Sequence, residues 1–214
     1  WRRVLRLQRD HLEAHQALLE LEGAPGARAF AELRNAAERS PAWDSISRGR
    51  YEEARAAPSS SELPPPWVHW IEARVAIDEQ REDEARRHLE QLASEPAPFP
   101  SVPYLLAVRY HIRGQFELAD RRCAEVLAAD PDDADTMMLR AAIALRTRGR
   151  EAQRAIERQA MRADPTLLTI QGRARHEHIE GRRLNQAQAS WKDTPMLTGD
   201  DARLARAEAS AALD

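Results

Sequence analysis

The sequence predicts an all-α fold, a solenoid of paired helices, from three observations. Two amphipathic segments lie on either side of Gly114 within the stretch 103–131, PYLLAVRYHIRGQFELADRRCAEVLAADP. The dipeptide Asp130-Pro131 recurs 34 residues later as Asp164-Pro165, and a constant interval of this size is typical of stacked helical repeats. Only 8 glycines are present and β-branched residues are scarce, which argues against a β-sheet.

The stretch 103–131 is the clearest helix pair. Its apolar positions are Leu105, Leu106, Tyr110 and Ile112 in the first helix, and Phe116, Ala119, Cys123, Val126 and Leu127 in the second. Gly114 separates the helices, and Asp130 ends the second one because the residue before a proline disfavours the helical conformation. Such a hairpin buries too little apolar surface to fold alone, so it must stack on neighbouring helices.

Small residues also recur at the 34-residue interval. The related positions are Ala85, Ala119 and Ala187 with Gln153 as the exception, then Ala73, Ala107 and Ala141, then Ala76, Tyr110 and Ala144. Packed helices lie about 8–10 Å apart, so a small side chain is favoured where they cross. We therefore predict that these alanines are buried and have no role beyond packing.

With small residues at helix crossings, glycine in the turn and Asp-Pro at the close, the chain resembles the tetratricopeptide repeat (TPR) family. The resemblance is good over roughly residues 66–199 and poor over 28–61. It implies a right-handed superhelical solenoid of antiparallel helix pairs. It also implies that the first helix of each pair lines a concave face on which a partner segment docks.

Residues 1–61 are expected to form N-terminal helices with one degenerate repeat. A helix over 2–22 is predicted from leucines spaced by seven, and we interpret it as a cap on the solenoid. An incomplete repeat or a dimerising seam are the alternatives. A second helix is expected from Ala27 to Glu38, and Gly49-Arg-Tyr51 then begins a helix that Pro58 cuts short.

Residues 62–66 are predicted to be a proline-rich loop in which 64–66 is extended, the best candidate for a hinge. Three to four TPR-like helix pairs follow over 67–197, and a capping helix over 198–214. The expected helices of this region are 67–78 with 82–94, the pair within 103–131, 134–147 with 151–163, and 167–180 with 183–192. The link 96–100 is rich in proline and is expected to stiffen the join.

Composition limits the classes of function. The formal net charge is −3, which disfavours nucleic acid as a general partner. The chain has no apolar run approaching 18 residues, so we predict no membrane span. The single cysteine, Cys123, excludes an internal disulfide and is predicted to be buried. Because the chain begins at Trp1 rather than methionine, we expect that a leader was removed or that more chain exists, and the compartment stays open.

Residues that could carry chemistry do not form a convincing site. The sequence shows no nucleophile–base set, phosphate loop or dinucleotide fingerprint, so we predict no enzyme activity and no cofactor. The histidine pairs His11/His15 and His176/His178 lack a third ligand and are interpreted as solvent-exposed, not metal-binding. The acidic run 130–135 lacks the glycine and distal glutamate of a calcium loop and is interpreted as a turn with a helix N-cap.

The resemblance places a partner-binding set on the concave face. Its members are Trp67, Trp70, Arg74, Tyr104, Val108, His111, Met138 and Arg146, and the same face includes Asp78, Ala142, Leu145, His176 and Ile179. Trp67 and Trp70 are favoured because aromatic residues dominate interfaces. The alternative is that they seal the loop 57–66 or pack on the preceding repeat. The family's carboxylate clamp is not matched, because Lys192 is the only lysine.

Charge is uneven along the chain. Residues 52–95 hold 11 acids and 5 arginines, whereas 140–183 hold 11 arginines and 5 acids. This pattern indicates solvated helix faces, a surface for an acidic partner, or head-to-tail homo-oligomers. We therefore expect a non-catalytic scaffold or adaptor that binds another protein or peptide in its groove. The alternatives are an accessory region of a larger enzyme and, more weakly, RNA binding by the basic surface.

Overall fold

The computed structural model describes residues 2, 5, 9, 11–57, 62–99 and 101–165. Regular secondary structure in this part of the chain is helical and includes no β-strand, which confirms the all-α prediction. The helices are α1 Leu12–Leu21, α2 Ala27–Ala37, α3 Trp43–Ser47, α4 Tyr51–Ala56, α5 Pro65–Asp78, α6 Glu82–Ala93, α7 Val102–Ile112, α8 Phe116–Ala129, α9 Ala134–Thr147 and α10 Arg150–Ala163.

The chain divides into two compact units, Trp1–Leu106 and Ala107–Asp214, here called the first and second units. In the first unit α1 contacts α2, α3 contacts α4, α4 contacts α5 and α5 contacts α6. In the second unit α8 contacts α9 and α9 contacts α10. The predictions for 167–180, 183–192 and 198–214, and those for His176, His178, Ile179, Ala187 and Lys192, lie outside the described residues.

The single helix predicted for residues 2–22 is interrupted. Arg9 lies in a turn, and α1 begins only after His11. The Nδ1 atom of His11 accepts the backbone N–H of Ala14 at 3.2 Å and so caps α1. The carbonyl of Arg9 accepts a hydrogen bond from the Ser101 hydroxyl at 2.8 Å. Ser101 is 92 residues away in the sequence, so the leucine spacing cannot predict this hydrogen bond.

The prediction of an extended segment over 64–66 is wrong for two of its three residues. Pro64 alone is extended, with φ −54° and ψ 141°, and it caps α5. Pro65 and Pro66 form the first turn of α5. A proline is tolerated there because the first N–H groups of a helix have no partner within the helix.

Among the described helices, four end in the same turn. In each, a residue in the left-handed conformation donates its N–H to the carbonyl three residues back, and the next residue donates to the carbonyl five back, at 2.7–3.2 Å. The left-handed residues are Gly23, Gly49, Gln80 and Gly114. Gln80 is the exception to glycine, and its φ of 61° is strained for a residue with a side chain.

The 34-residue interval is present in the backbone. The hydrogen bonds that reach five residues back run from Arg81 to Ala76, from Gln115 to Tyr110 and from Gly149 to Ala144, at 2.7, 2.9 and 2.9 Å. Helices α6, α8 and α10 begin just after these turns, also 34 residues apart. The recurring alanines that lie within the described residues are all fully buried, as predicted: Ala73, Ala76, Ala85, Ala107, Ala119, Ala141 and Ala144.

An aromatic cluster, defined as Phe30, Trp43, Tyr51, Trp67, Trp70 and Phe99, forms the core of the first unit. The ring centre of Phe99 lies 5.0–5.8 Å from the ring centres of Phe30, Trp67 and Trp70. The indole N–H of Trp67 donates to the carbonyl of Leu33 at 3.0 Å, which satisfies its buried polar group. The cluster joins α2, α3, α4, α5 and the segment before α7.

The proline-rich link between α6 and α7 belongs to this core. Phe99 is 3% exposed. Gly26 lies so close to the link that a Cβ atom on it would be 2.3 Å from the carbonyl oxygen of Pro96. The Nε2 atom of His15 lies 2.7 Å from the carbonyl oxygen of Pro98, and its ring meets Phe30 edge-on at 4.9 Å. The link therefore packs against α1 and α2.

Two histidines meet between α5 and α6. The Nδ1 atoms of His69 and His88 are 3.1 Å apart, which is a hydrogen bond when one ring carries the proton and the other accepts it. Both side chains are half-buried. Burial and, next, the charge of His69 lower the pKa of His88, so His88 favours its uncharged form.

The second unit packs its helices through small apolar side chains. Cys123 is fully buried and reduced, as predicted. Ile112, which was expected to be inside, is 41% exposed at the end of α7. Asp133 accepts the N–H of Thr136 at 3.0 Å and caps α9, which confirms the N-cap interpretation of the acidic run. The guanidinium of Arg140 on α9 pairs with Asp120 on α8 at 2.7 Å.

Candidate functional site

A cleft of about 700 Å³ lies in the first unit. Four arginines line it together with two aromatic rings: Arg9, Arg34, Arg48, Arg74, Trp43 and Tyr51. Its volume falls within the range of about 300–1,000 Å³ that ligand sites occupy. Four of the eleven residues that line it therefore carry a guanidinium, a group that binds anions.

Residues far apart in the sequence build the cleft. Arg9 comes from the turn before α1 and Arg34 from α2, whereas Trp43 lies on α3. Arg48 lies in the turn after α3, Tyr51 opens α4, and Arg74 lies on α5. The packing of these segments brings the four arginines to one cleft.

Arg74 and Arg9 are oriented by aromatic rings, and the guanidinium carbon of Arg34 also lies 5.9 Å from the ring centre of Trp43. The guanidinium carbon of Arg74 lies 5.3 Å from the ring centre of Tyr51 and 5.7 Å from that of Trp70. The guanidinium carbon of Arg9 lies 3.8 Å from the ring centre of Tyr104. A cation over a ring face is attracted by the ring's negative face, so both guanidinium groups are held in defined positions.

The other two arginines differ in exposure. Arg34 is 18% exposed, and it donates to Gln16 at 2.9 Å and to Glu38 at 2.8 Å. Arg48 is 65% exposed and pairs with Asp44 at 2.8 Å. Because solvated ion pairs are weak, an incoming anion can replace Asp44 at Arg48 at little cost.

The charge of the wall is positive. Glu13 is the only carboxylate among the described residues that line the cleft, against four arginines, and it lies 3.9 Å from the guanidinium of Arg34. A guanidinium fork binds a carboxylate through two parallel hydrogen bonds, and the neighbouring rings offer apolar surface to a ligand's side chains. The arrangement is suited to a carboxylate-bearing ligand larger than a single ion.

Trp67 and Trp70 are both fully buried within the aromatic cluster. Of the two alternatives left open by the sequence, the structure shows the packing role. Trp67 packs on Trp43 at 5.5 Å and on Phe99 at 5.0 Å, so neither face of the pair is offered to solvent. The spacing of three places both tryptophans on one helix face, but it does not reveal that other helices cover that face.

The remaining residues of the predicted partner-binding set differ in their exposure to solvent. Arg74 lines the cleft, and Tyr104 lies beneath Arg9 beside it. In the second unit Val108 and Met138 are each 6% exposed, and Met138 packs with Ala134 and Ala160. His111 is half-buried 5.8 Å from the Phe116 ring, and Arg146 is exposed. Of the other residues on the expected face, Asp78 and Leu145 are exposed and Ala142 is buried.

Arg9, Arg34 and Arg48 were not predicted as site residues. They lie in the region interpreted as a cap and a degenerate repeat, and no interval relates them. One signal was available, because the turn at Gly49 places Arg48 and Tyr51 on either side of a chain reversal. The other residues of the cleft come together only through the tertiary fold, so no local pattern in the sequence indicates it.

The N-terminal histidines have structural roles. The prediction that they are solvent-exposed is wrong, because His11 caps α1 and His15 packs between Phe30 and the carbonyl of Pro98. Burial lowers the pKa of His15, and the hydrogen bond to Pro98 opposes this shift. Within the described part of the chain, no group of three or more His, Cys, Asp or Glu side chains is arranged to hold a metal ion.

A second basic feature lies on α10. Four exposed arginines follow one another at intervals of four residues: Arg150, Arg154, Arg158 and Arg162. We call them the arginine ridge. None of the four forms an ion pair with another described residue. In α6, by contrast, Arg86 pairs with Glu90 at 2.7 Å.

Comparison of the chain with models of known families, with curated proteins and with solved structures found no match. Among the residues that the structure describes, none of the helices has the length and apolar composition that crossing a membrane requires.

Proposed function

We propose that this chain is a helical-repeat interaction module that holds an acidic segment of another protein in the cleft of its first unit. The convergence of Arg9, Arg34, Arg48 and Arg74 on one cleft carries the proposal. Guanidinium groups recognise carboxylates, and Trp43 and Tyr51 supply apolar area for a peptide side chain. The module is non-catalytic in this proposal. A free-standing adaptor and an accessory region of a larger enzyme would use the cleft in the same way.

The repeat part of the proposal is a right-handed solenoid of antiparallel helix pairs similar to TPR proteins. It is supported by the turns at Arg81, Gln115 and Gly149, which recur every 34 residues with the same hydrogen bond. The buried alanines at this interval support it as well, because they permit close packing of successive helices. Of the predicted partner-binding set, the proposal keeps Arg74 as a partner contact and assigns Trp67 and Trp70 to the core beneath it.

The test is selection of peptides from a random display library against the whole chain. We expect the selected peptides to be rich in aspartate and glutamate and to contain an aromatic or aliphatic side chain. Binding should weaken as salt is raised, because the attraction is electrostatic. Selection of basic or uncharged peptides would count against the proposal.

A matched pair of variants assigns the binding to the cleft. The double variant Arg48→Gln/Arg74→Gln removes two charges from the wall, and it should weaken peptide binding roughly tenfold or more, since charged hydrogen bonds contribute about 1.5–3 kcal/mol each. The control Arg28→Gln/Arg39→Gln removes two exposed charges of the first unit that do not line the cleft. Equal loss in both variants would show that only net charge matters. Circular dichroism checks that both remain folded.

A further inference from the structure

We propose that the arginine ridge of α10 binds the phosphate backbone of a nucleic acid without reading its bases. This site lies in the second unit and is independent of the cleft and its acidic peptide. The ridge consists of Arg150, Arg154, Arg158 and Arg162, all on the exposed side of one helix.

The spacing suits a linear polyanion. A helix rises about 1.5 Å per residue, so arginines four residues apart follow one another about 6 Å along the axis. Each step of four residues rotates by about 40° around the axis, so the row follows a shallow spiral across about a third of a turn. A chain with one negative charge on each unit can therefore meet several of these arginines in succession, as a single small anion cannot.

The ridge keeps its positive charge within the described part of the chain. No described carboxylate pairs with any of the four, although Glu151 and Glu157 lie on the same helix. Glu157 instead accepts a hydrogen bond from Gln153 at 2.8 Å. At other positions in the protein exposed arginines are neutralised, as in the pair of Arg48 with Asp44 at 2.8 Å. An arginine that neutralises a phosphate releases the counterions condensed on the polyphosphate, which favours binding. The release is greatest for arginines that do not already pair with a carboxylate.

The lack of large apolar side chains among the exposed residues of α10 favours a nucleic acid over a protein. The other exposed residues of α10 are Glu151, Ala155 and Gln159, so this face presents no aromatic or large aliphatic side chain. Protein interfaces depend on such anchors, whereas phosphate contacts do not. Stacking of bases also requires aromatic rings, so we expect binding that is independent of base sequence.

The test measures the binding of a fluorescein-labelled, mixed-sequence RNA of about 20 nucleotides to the whole chain by fluorescence anisotropy. Four phosphate contacts predict that log K falls with log salt concentration with a slope of about −2.8 for a single strand. A duplex of the same sequence forms a second arm, and the two arms distinguish the strand form that the ridge prefers. Detectable binding at low salt with this dependence supports the proposal, and no binding at low salt overturns it.

Two variants with equal loss of charge locate the site. Replacing all four ridge arginines with glutamine should raise the Kd at least about tenfold and bring the salt slope close to zero. The control replaces Arg28, Arg39, Arg87 and Arg121, exposed arginines elsewhere, and should retain most of the affinity and slope. Equal losses in both would overturn the proposal. A polyglutamate peptide that binds the ridge as tightly as RNA would also overturn it, because the partner would then be an acidic protein.

Discussion

The ring of Phe99 lies edge-on to the indole of Trp67, with 5.0 Å between the ring centres and 71° between the planes. Phe99 comes from a proline-rich link and Trp67 from the first turns of α5. Their contact makes the link part of the hydrophobic core and keeps both tryptophans of α5 away from solvent. It also places Arg74, two turns further along α5 than Trp67, beside the cleft.

We expect Phe99→Ala to destabilise the first unit by about 3–5 kcal/mol, because it removes the ring that contacts Phe30, Trp67 and Trp70 and leaves a cavity. Urea denaturation followed by tryptophan fluorescence measures the change. Leu21→Ala is the control, since Leu21 is 77% exposed and its loss should alter stability by less than about 0.5 kcal/mol. Similar values for the two variants would show that the link is not a core element.

Gly26→Ala should cost at least about 2 kcal/mol, because its Cβ would lie 2.3 Å from the Pro96 carbonyl oxygen and its φ is 85°. The control Gly23→Ala shares the left-handed conformation, with φ 59°, but has no neighbouring atom within 4 Å. It should cost about 1 kcal/mol. Denaturation curves of the two variants separate the clash from the backbone strain, and equal costs would contradict the close approach of the link.

Gln80→Gly should stabilise the protein by about 0.5–1 kcal/mol. The residue adopts φ 61° at the end of α5, a conformation that glycine reaches without steric cost. Gln80→Ala keeps the strain and removes only an exposed side chain, so its stability should stay within about 0.5 kcal/mol of the parent protein. Thermal and urea unfolding check both changes. A glycine variant no more stable than the alanine variant would be evidence against a strained turn.

Burial lowers the pKa of His15 below that of an exposed histidine, about 6.5, so the unfolded chain binds its proton more readily than the folded protein does. The stability that neutral His15 contributes is therefore present above pH 6.5 and is lost as the pH falls below it. We expect the free energy of unfolding to decrease between pH 7.5 and pH 5.5. The decrease should be smaller in His15→Phe, which keeps a ring against Phe30. An unchanged pH dependence in that variant would refute the assignment.

The pair His69/His88 also contributes to the decrease in the free energy of unfolding as the pH falls. Double protonation would place two positive charges where the Nδ1 atoms are now 3.1 Å apart. Glu72 and Glu84 oppose the lowering of the His88 pKa, and Arg87 reinforces it. Loss of stability at acidic pH should therefore be reduced in His88→Gln, which retains a hydrogen-bonding side chain. Equilibrium unfolding at several pH values measures this, and a larger acid sensitivity in His88→Gln would exclude it.

Much of the fold between residues 65 and 163 follows from local pattern. Helix α9 has the bounds predicted for it, and α5, α6 and α10 differ from prediction by one or two residues at an end. Apolar residues at helical spacing and Gly114 in a turn act within a few neighbouring residues, so the sequence displays them directly. The N-terminal region was predicted less well, because the Arg9 carbonyl is held by Ser101 from far along the chain.

The sequence by itself determined that the protein is helical, where most of its helices run, and the 34-residue interval that its turns follow. Only the tertiary structure decided which faces are covered. It buried Trp67 and Trp70, took the link with Phe99 into the core, and gathered Arg9, Arg34, Arg48 and Arg74 into one cleft. The physical reason is the separation in sequence over which each interaction acts. Helix formation depends on residues within about one turn of each other, whereas burial and charge clustering depend on contacts between segments whose separation in sequence follows no period.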